Sequence, residues 1–175
     1  MNARYARRIA DDLKSLDSLA RQDGAFGWRL SRSGIELRYE KTPGLVLTKN
    51  QGIVLATRWT ARLLLGPRYP VASHPVWIVC DCGVPFHPNV LQTAPHRVCY
   101  GRHLPFLPLS ELALRLQRMI TLHPATIQTD ERDSLNPRAC GIVRRLVREG
   151  TVPLRLDTPL PPWCRGSARG EEVRS

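Results

Sequence analysis

The first residues of the chain alternate between apolar and polar positions with a helical period. Over residues 3–21 the apolar side chains recur every three or four positions, which places them on one stripe of a helix. Arg4, Arg7 and Lys14 lie away from that stripe. The pattern predicts an amphipathic N-terminal helix, and the simplest interpretation of the basic residues is a solvated face. The apolar stripe consists of Tyr5, Ile9, Leu13, Leu16 and Ala20.

From residue 26 to about residue 79 the period changes to that of strands. Within residues 35–39 apolar and charged side chains alternate, as in a half-buried strand. The turn residues 49–52 precede the apolar residues 53–55 and a longer run that ends at Leu65. Strands at short spacing, with no helical pattern between them, predict an antiparallel meander.

Two helical patterns follow an irregular segment rich in Pro, Gly and His. The first covers residues 109–122 and has one apolar face. The second is bounded by local signals: Asn136 suits an N-cap, Pro137 the first helical position, and Gly150 the position after the helix. A helix, an antiparallel sheet and then further helices predict an α+β fold.

Length and composition are consistent with one domain and a tail. The chain has 175 residues, of which 42% are hydrophobic, enough to bury a substantial core. We expect a single domain over residues 1–157. Residues 158–175 are rich in Pro, Gly and Arg and are expected to be disordered.

The charge and the terminal sequence narrow the functional classes. No run of about 18 apolar residues is present, so no membrane-spanning helix is expected. The N-terminus lacks the pattern of a signal peptide, so we expect a cytoplasmic protein. The net charge of +11 favours acidic partners. No nucleic-acid-binding signature accompanies it, and this favours an acidic protein over nucleic acid as the partner.

The five cysteines do not fit a closed disulfide framework, because their number is odd. Cys80 and Cys82 form a Cys-x-Cys pair at the end of an apolar strand. Zinc sites usually show wider ligand spacing, so the pair is interpreted as core packing and no metal site is predicted. Cys99 lies alone among polar neighbours, as a candidate nucleophile does in a reducing compartment.

A nucleophilic Cys99 that receives and passes on an acyl group needs three things. Its sulfur must be accessible and able to ionise. Aminolysis of the acyl thioester creates an oxyanion, which a side-chain amide such as that of Asn89 can stabilise. The attacking amine must lose a proton, so a carboxylate such as that of Asp133 is useful near it.

Four motifs in a fixed order resemble the ubiquitin-conjugating enzyme family. These are Tyr69-Pro70, an apolar strand, His87-Pro88-Asn89 and Val98-Cys99, followed later by an Asp-x-Leu-x-Pro loop that starts at Asp133. The resemblance implies an N-terminal helix, a four-stranded antiparallel meander sheet, a crossover helix and a C-terminal helix, within a catalytic domain over residues 1–157.

The resemblance also implies roles for individual residues. Cys99 is similar to the family's thioester nucleophile, Asn89 to its oxyanion or loop-organising amide, and Asp133 to its lysine-positioning acid. His87 and Pro88 are similar to residues that shape the turn before the site. Tyr69 and Pro70 are similar to an architectural Tyr-Pro pair at the start of the crossover.

Partners follow from the resemblance as well. They are a ubiquitin-like protein, an activating enzyme that consumes ATP, and a target protein; no cofactor of its own is implied. The basic residues Arg4, Arg7 and Lys14 are implied to dock the activating enzyme. Ser134 stands where the family's loop has a proline, and this and other departures resemble a divergent bacterial branch associated with antiphage defence.

Three alternatives remain open at this stage. The chain could be a binding module of the same fold without chemistry, although the presence of both Cys99 and Asn89 argues against this. It could be a basic nucleic-acid-binding protein whose likeness to the family is accidental. It could also be a cysteine hydrolase that pairs Cys99 with His96 or His103 as the base.

Overall fold

The structure is a computed structural model that describes residues 3–32, 34–49, 52–66, 69, 75–100, 107–127, 130 and 132–164. These residues form three α-helices and seven strands, with short 3-10 turns at Pro124–Thr126 and Pro162–Cys164. The helices are α1 (Ala3–Gln22), α2 (Leu109–Ile120) and α3 (Pro137–Arg148). The strands are β1 (Phe26–Ser31), β2 (Gly34–Tyr39), β3 (Gly44–Leu47), β4 (Ile53–Ala56), β5 (Trp59–Leu63), β6 (Val76–Val79) and β7 (Val84–Pro85).

The main sheet is antiparallel and has the strand order β1-β2-β5-β6. This confirms the predicted α+β class with a four-stranded antiparallel sheet. One face of the sheet is buried by the apolar stripes of α1 and α2, as their helical periods predicted. None of the helices in the described part of the chain combines the length and apolar character needed to cross a bilayer.

The two apolar segments expected between residues 53 and 65 lie in different sheets. β4 pairs with β3, and β3 pairs with β7 to form a separate three-stranded sheet, whereas β5 joins the main sheet. The chain changes sheets at the exposed residues Thr57 and Arg58, where the Thr57 carbonyl accepts a hydrogen bond from the Thr42 amide at 2.9 Å. The structure thus places the two apolar segments in different sheets.

The smaller sheet and α3 pack together around a second apolar cluster. Val143 and Leu146 of α3 are fully buried there beside Phe86, the residue before the predicted site. Asn136 caps α3 as predicted, since its side chain accepts from the Ala139 amide at 3.1 Å, and Gly150 has a positive φ of 68°. The second cluster thus fixes α3 against the segment that leads to the site.

The folded part of the chain extends beyond residue 157, where the end of the domain was expected. Leu160 and Cys164 are buried in the second cluster, and the ring of Trp163 lies 4.0 Å from the guanidinium carbon of Arg145 on α3. A tail rich in proline was expected to be disordered, but these apolar side chains contact α3. Residues 165–175 lie outside the described residues.

Candidate active site

The His87-Pro88-Asn89 turn is held together by its own histidine. His87 Nδ1 accepts a hydrogen bond from the Asn89 amide at 2.9 Å, and the His87 carbonyl accepts from the Val90 amide at 3.1 Å. Because Nδ1 is an acceptor, we assign the imidazole proton to Nε2. The side chain is buried, so the turn is fixed by a neutral ring.

The surroundings of His87 are apolar. The ring lines a small cavity together with Trp59, Val90 and Ile120. Burial lowers the pKa of His87 to about 3, and the backbone of Met119 offsets this effect only in part. No well-directed hydrogen bond to Nε2 is formed within the described part of the chain. Protonation of this ring would therefore place an unpaired charge in the core.

Asn89 and Cys99 are joined to each other by hydrogen bonds. The Cys99 amide donates to the Asn89 carbonyl at 2.8 Å, and the Asn89 side-chain Nδ2 donates to the Cys99 carbonyl at 3.1 Å. A bridge between Val90 and Val98 continues this pairing. Cys99 is exposed. The two residues are distant in sequence, and the structure brings them together at one end of a short hairpin.

This hairpin is attached to the edge of the main sheet. The Val98 amide donates to the Val76 carbonyl at 2.8 Å, and the Ile78 amide donates to the His96 carbonyl at 3.2 Å. Val98 is buried while Cys99, the next residue, is exposed, as expected for alternation along an extended segment. The sheet thus positions Cys99 at the surface and anchors the residue before it.

The loop that carries Asp133 is anchored on the same turn. The Pro88 carbonyl accepts from the Leu135 amide at 2.9 Å, from the Asn136 amide at 3.2 Å and from Ser134 Oγ at 2.9 Å. Asp133 is exposed beside this anchor. The structure therefore joins the Asp133 loop to the His87-Pro88-Asn89 turn. Sequence reasoning treated Ser134 only as a departure from the family's proline and missed its bond to Pro88.

Tyr69 belongs to a buried polar cluster that also includes side chains of α1. Its hydroxyl donates to Asp12, which also accepts from Arg8 Nε at 2.6 Å and from the amide of Leu109, the first residue of α2, at 3.2 Å. Burial raises the pKa of the Tyr69 hydroxyl, and the bond to Asp12 adds to this. Tyr69 is thus architectural. Pro70 lies outside the described residues.

Asp12 was not singled out from the sequence. In the sequence, Asp12 stands out only as an acidic residue beside the apolar stripe of the first helix. The bond that gives it a role joins it to Leu109, which is far away in the chain. The first residue of α2 has no capping side chain of its own, so Asp12 acts in its place.

The remaining predicted residues are partly described. Arg7 and Lys14 are exposed on α1; Arg4 lies in the same helix, and its side chain is outside the description. His96 Nδ1 lies 3.2 Å from the Leu91 carbonyl, so its ring contacts the hairpin loop. His103 lies outside the described residues. Within the residues described, no three His, Cys, Asp or Glu side chains are grouped to hold a metal ion.

The arrangement of helices and sheet is shared with a known enzyme. The structure is similar to the crystal structure of the ubiquitin conjugating enzyme E2 UbcA1 from Agrocybe aegerita, with a TM-score of 0.50 and 20% sequence identity. The chain has the fold of a ubiquitin-conjugating enzyme. The similarity covers 82% of this chain and 93% of the other. No family model matches the sequence, and no curated protein matches it.

The ubiquitin-conjugating fold was expected from the motif order, and the similarity confirms it. At 20% identity the similarity establishes the fold alone, and the fold by itself does not define an activity. The chemistry of the site depends on three features of its own residues. These are an exposed thiol at Cys99, a side-chain amide bonded to its backbone, and an acidic loop anchored on the same turn.

Proposed function

We propose that this protein is a ubiquitin-conjugating-like transferase that accepts a ubiquitin-like protein as a thioester on Cys99 and passes it to an amine of a target protein. The observation that carries the proposal is the pair of hydrogen bonds between Asn89 and Cys99. They connect an exposed thiol to an amide of the type that organises such a site. The ubiquitin-conjugating fold supports the same reaction class.

In the loading step, the Cys99 thiolate attacks the thioester carbonyl of a modifier carried by an activating enzyme. A new bond forms between Cys99 Sγ and the carbonyl carbon, and the activating enzyme's thiolate leaves. The acyl group arrives already activated, so no strong base is needed beside Cys99. ATP is consumed by the activating enzyme, and no cofactor is assigned to this chain.

In the transfer step, a target amine attacks the same carbonyl carbon. A C–N bond forms, the C–S bond breaks, and Cys99 leaves as a thiolate. The Asn89 amide first holds the Cys99 backbone and then serves as a donor for the oxyanion. The Asp133 carboxylate orients the amine and favours the loss of its proton. Ser134, through its bond to Pro88, keeps the Asp133 loop beside the turn.

The partners follow from these steps. They are a ubiquitin-like protein, its activating enzyme and a target protein. Arg7 and Lys14 are exposed on α1 and, with Arg4, are proposed to dock the activating enzyme through its acidic groups. The place in a bacterial antiphage system is proposed from the motif resemblance, and the cytoplasmic setting stays a prediction of the sequence.

The test is intact-mass analysis after incubation with ATP, the cognate activating enzyme and its ubiquitin-like protein. We expect an adduct with the mass of the modifier that a thiol reductant releases. Cys99→Ala should give no adduct, and Cys99→Ser should give an ester that resists the reductant. Cys82→Ser is the matched control, because Cys82 is also an exposed thiol, and it should load like the wild type.

An absent adduct, with an activating enzyme that is itself demonstrably charged, would refute the proposal. The chain would then be a binding module with the same fold. Binding of DNA or RNA that is lost steeply with salt and is indifferent to Cys99 would instead favour the nucleic-acid alternative. Cleavage of a modifier conjugate without ATP would favour the hydrolase.

A further inference from the structure

The turn between β6 and β7 holds two thiols in contact. Cys80 Sγ and Cys82 Sγ lie 3.1 Å apart. Cys82 is exposed and Cys80 is half-buried, which differs from the core packing expected for both. The pair lies away from Cys99 on the chain and takes no part in the proposed transfer.

The backbone of this turn keeps the two sulfurs together. Cys80 and Gly83 form an antiparallel bridge around the two residues between them. A Cβ atom on Gly83 would lie 2.7 Å from the Leu47 carbonyl oxygen, so the turn packs closely on β3 at a position that only glycine fits. Because the turn packs against β3, its backbone is held in place, and this backbone keeps the two sulfurs close together.

We propose that Cys80 and Cys82 form a reactive dithiol that exchanges with low-molecular-weight disulfides and closes to an intrachain disulfide. The sulfurs are 3.1 Å apart, and a disulfide bond is about 2.05 Å long, so they must approach by about 1 Å. Rotation about the side-chain bonds can supply a movement of this size. The site thus takes a small disulfide as its substrate, independently of the function proposed for Cys99.

The reaction proceeds in two balanced exchanges. The Cys82 thiolate attacks one sulfur of the small disulfide; a mixed disulfide forms, and one small thiolate leaves. Cys80, after losing its proton, then attacks Cys82 Sγ; the intrachain bond forms, and the second small thiolate leaves. The protein loses two electrons and two protons, and the small disulfide is reduced to two thiols.

Burial decides which sulfur reacts first. Cys82 is open to solvent, so a small disulfide can reach it. Burial raises the pKa of Cys80 to about 12, so this sulfur is a poor first nucleophile. It lies in contact with the mixed disulfide once that has formed, and a well-oriented intramolecular attack outcompetes a second small molecule. Cys82 is therefore the attacking thiol and Cys80 the resolving thiol.

The test uses the full-length protein with Cys99→Ala, which removes the other thiol described as exposed. It is treated with glutathione disulfide, quenched with acid, alkylated and measured by intact mass and peptide mapping. We expect the peptide that contains both cysteines to lose about 2 Da, with no glutathione attached. Dithiothreitol should reverse the change. Cys140 and Cys164 are buried and should stay unmodified under native conditions.

Single variants separate the two sulfurs. Cys80→Ser should accumulate a stable glutathione adduct on Cys82, and Cys82→Ser should react more slowly. A trivalent arsenical, phenylarsine oxide, should bind the intact pair one to one and bind neither single variant, because it needs two adjacent thiols. Separate glutathione adducts on both cysteines, full alkylation of both after treatment, or no arsenical adduct would each overturn the proposal.

Discussion

Acidification should destabilise the fold through His87. The ring is neutral and buried, and burial lowers its pKa from 6.5 to about 3. Above pH 6.5 the ring is neutral in both the folded and the unfolded chain, so His87 adds no pH dependence there. Between pH 6.5 and 3 the unfolded chain binds a proton that the folded chain does not. The free energy of unfolding therefore falls as the pH falls through this window.

The size of the effect follows from the pKa difference. Each pH unit within the window costs about 1.4 kcal/mol of stability. From pH 7 to pH 5 the loss attributable to His87 is therefore about 2 kcal/mol, a large part of the stability of a small domain. This loss would shift a urea midpoint by about 1 M for a typical denaturant slope.

The assay is urea unfolding at pH 7 and pH 5 for the wild type and His87→Asn. The asparagine Oδ1 can accept the Asn89 amide as Nδ1 does, but it does not titrate. We expect the variant to be less stable at pH 7 and to lose about 2 kcal/mol less than the wild type on acidification. Every other ionisable group is the same in both proteins, so the difference between the two isolates His87.

A matched control exists elsewhere in the chain. His123 Nδ1 also accepts from the amide two residues on, that of Ala125, at 3.3 Å, but its side chain is only half-buried. His123→Asn makes the same substitution in this half-buried turn, and its stability is measured at the same two pH values. If His87→Asn loses as much stability as the wild type between pH 7 and pH 5, the reasoning about the buried ring is wrong.

Three further substitutions test the contacts around the site. Ser134→Ala removes one donor to the Pro88 carbonyl, worth about 1 kcal/mol, and should slow amine transfer about fivefold while leaving Cys99 loading unchanged in single-turnover assays. Asp12→Ala removes the acceptor of the buried cluster and should lower the free energy of unfolding in urea by roughly 3 kcal/mol. Asn136→Ala removes the α3 cap and should cost about 1 kcal/mol, which Asn136→Ser should largely restore.

Each of these outcomes can fail in an informative way. Unchanged transfer in the serine variant would mean that the backbone donors alone hold the loop. A stability loss below about 1 kcal/mol in the Asp12 variant would mean that water replaces the carboxylate as the hydrogen-bond acceptor of the cluster. Equal stability of the alanine and serine variants at Asn136 would show that the cap bond does not matter.

Elements with local signals were predictable from the sequence. The Asn136 cap, the Pro137 start and the Gly150 end of α3 depend on neighbouring residues, and all three were found as expected. The exchange of sheets after β4 had no such signal, because Thr57 and Arg58 are not turn-forming residues such as Gly or Pro. Leu160 is buried in a cluster that also contains residues of α3, so it depends on distant segments, whereas composition alone pointed to disorder there.

The candidate site shows the same division. Motif order predicted a role for Asn89 beside Cys99, since a turn and a nucleophile in that order resemble a known site; the hydrogen bond between them is observed, and the role stays a prediction. The bond from Ser134 to the Pro88 carbonyl was not expected, because it joins distant segments and replaces a rigid proline by a hydrogen bond. The contact between Cys80 and Cys82 was missed because strand alternation does not extend around a tight turn.

The Asp12 cluster changes how the N-terminal helix can be dissected. A truncation of α1 would remove its basic face, but it would also leave the α2 amide of Leu109 and the hydroxyl of Tyr69 without their acceptor. Such a deletion would report misfolding before it reported any loss of docking. Charge reversal at the exposed Arg7 and Lys14, with Asp12 intact, separates the two effects. The first helix is thus part of the frame that holds α2, and it also carries the basic side chains proposed to dock the activating enzyme.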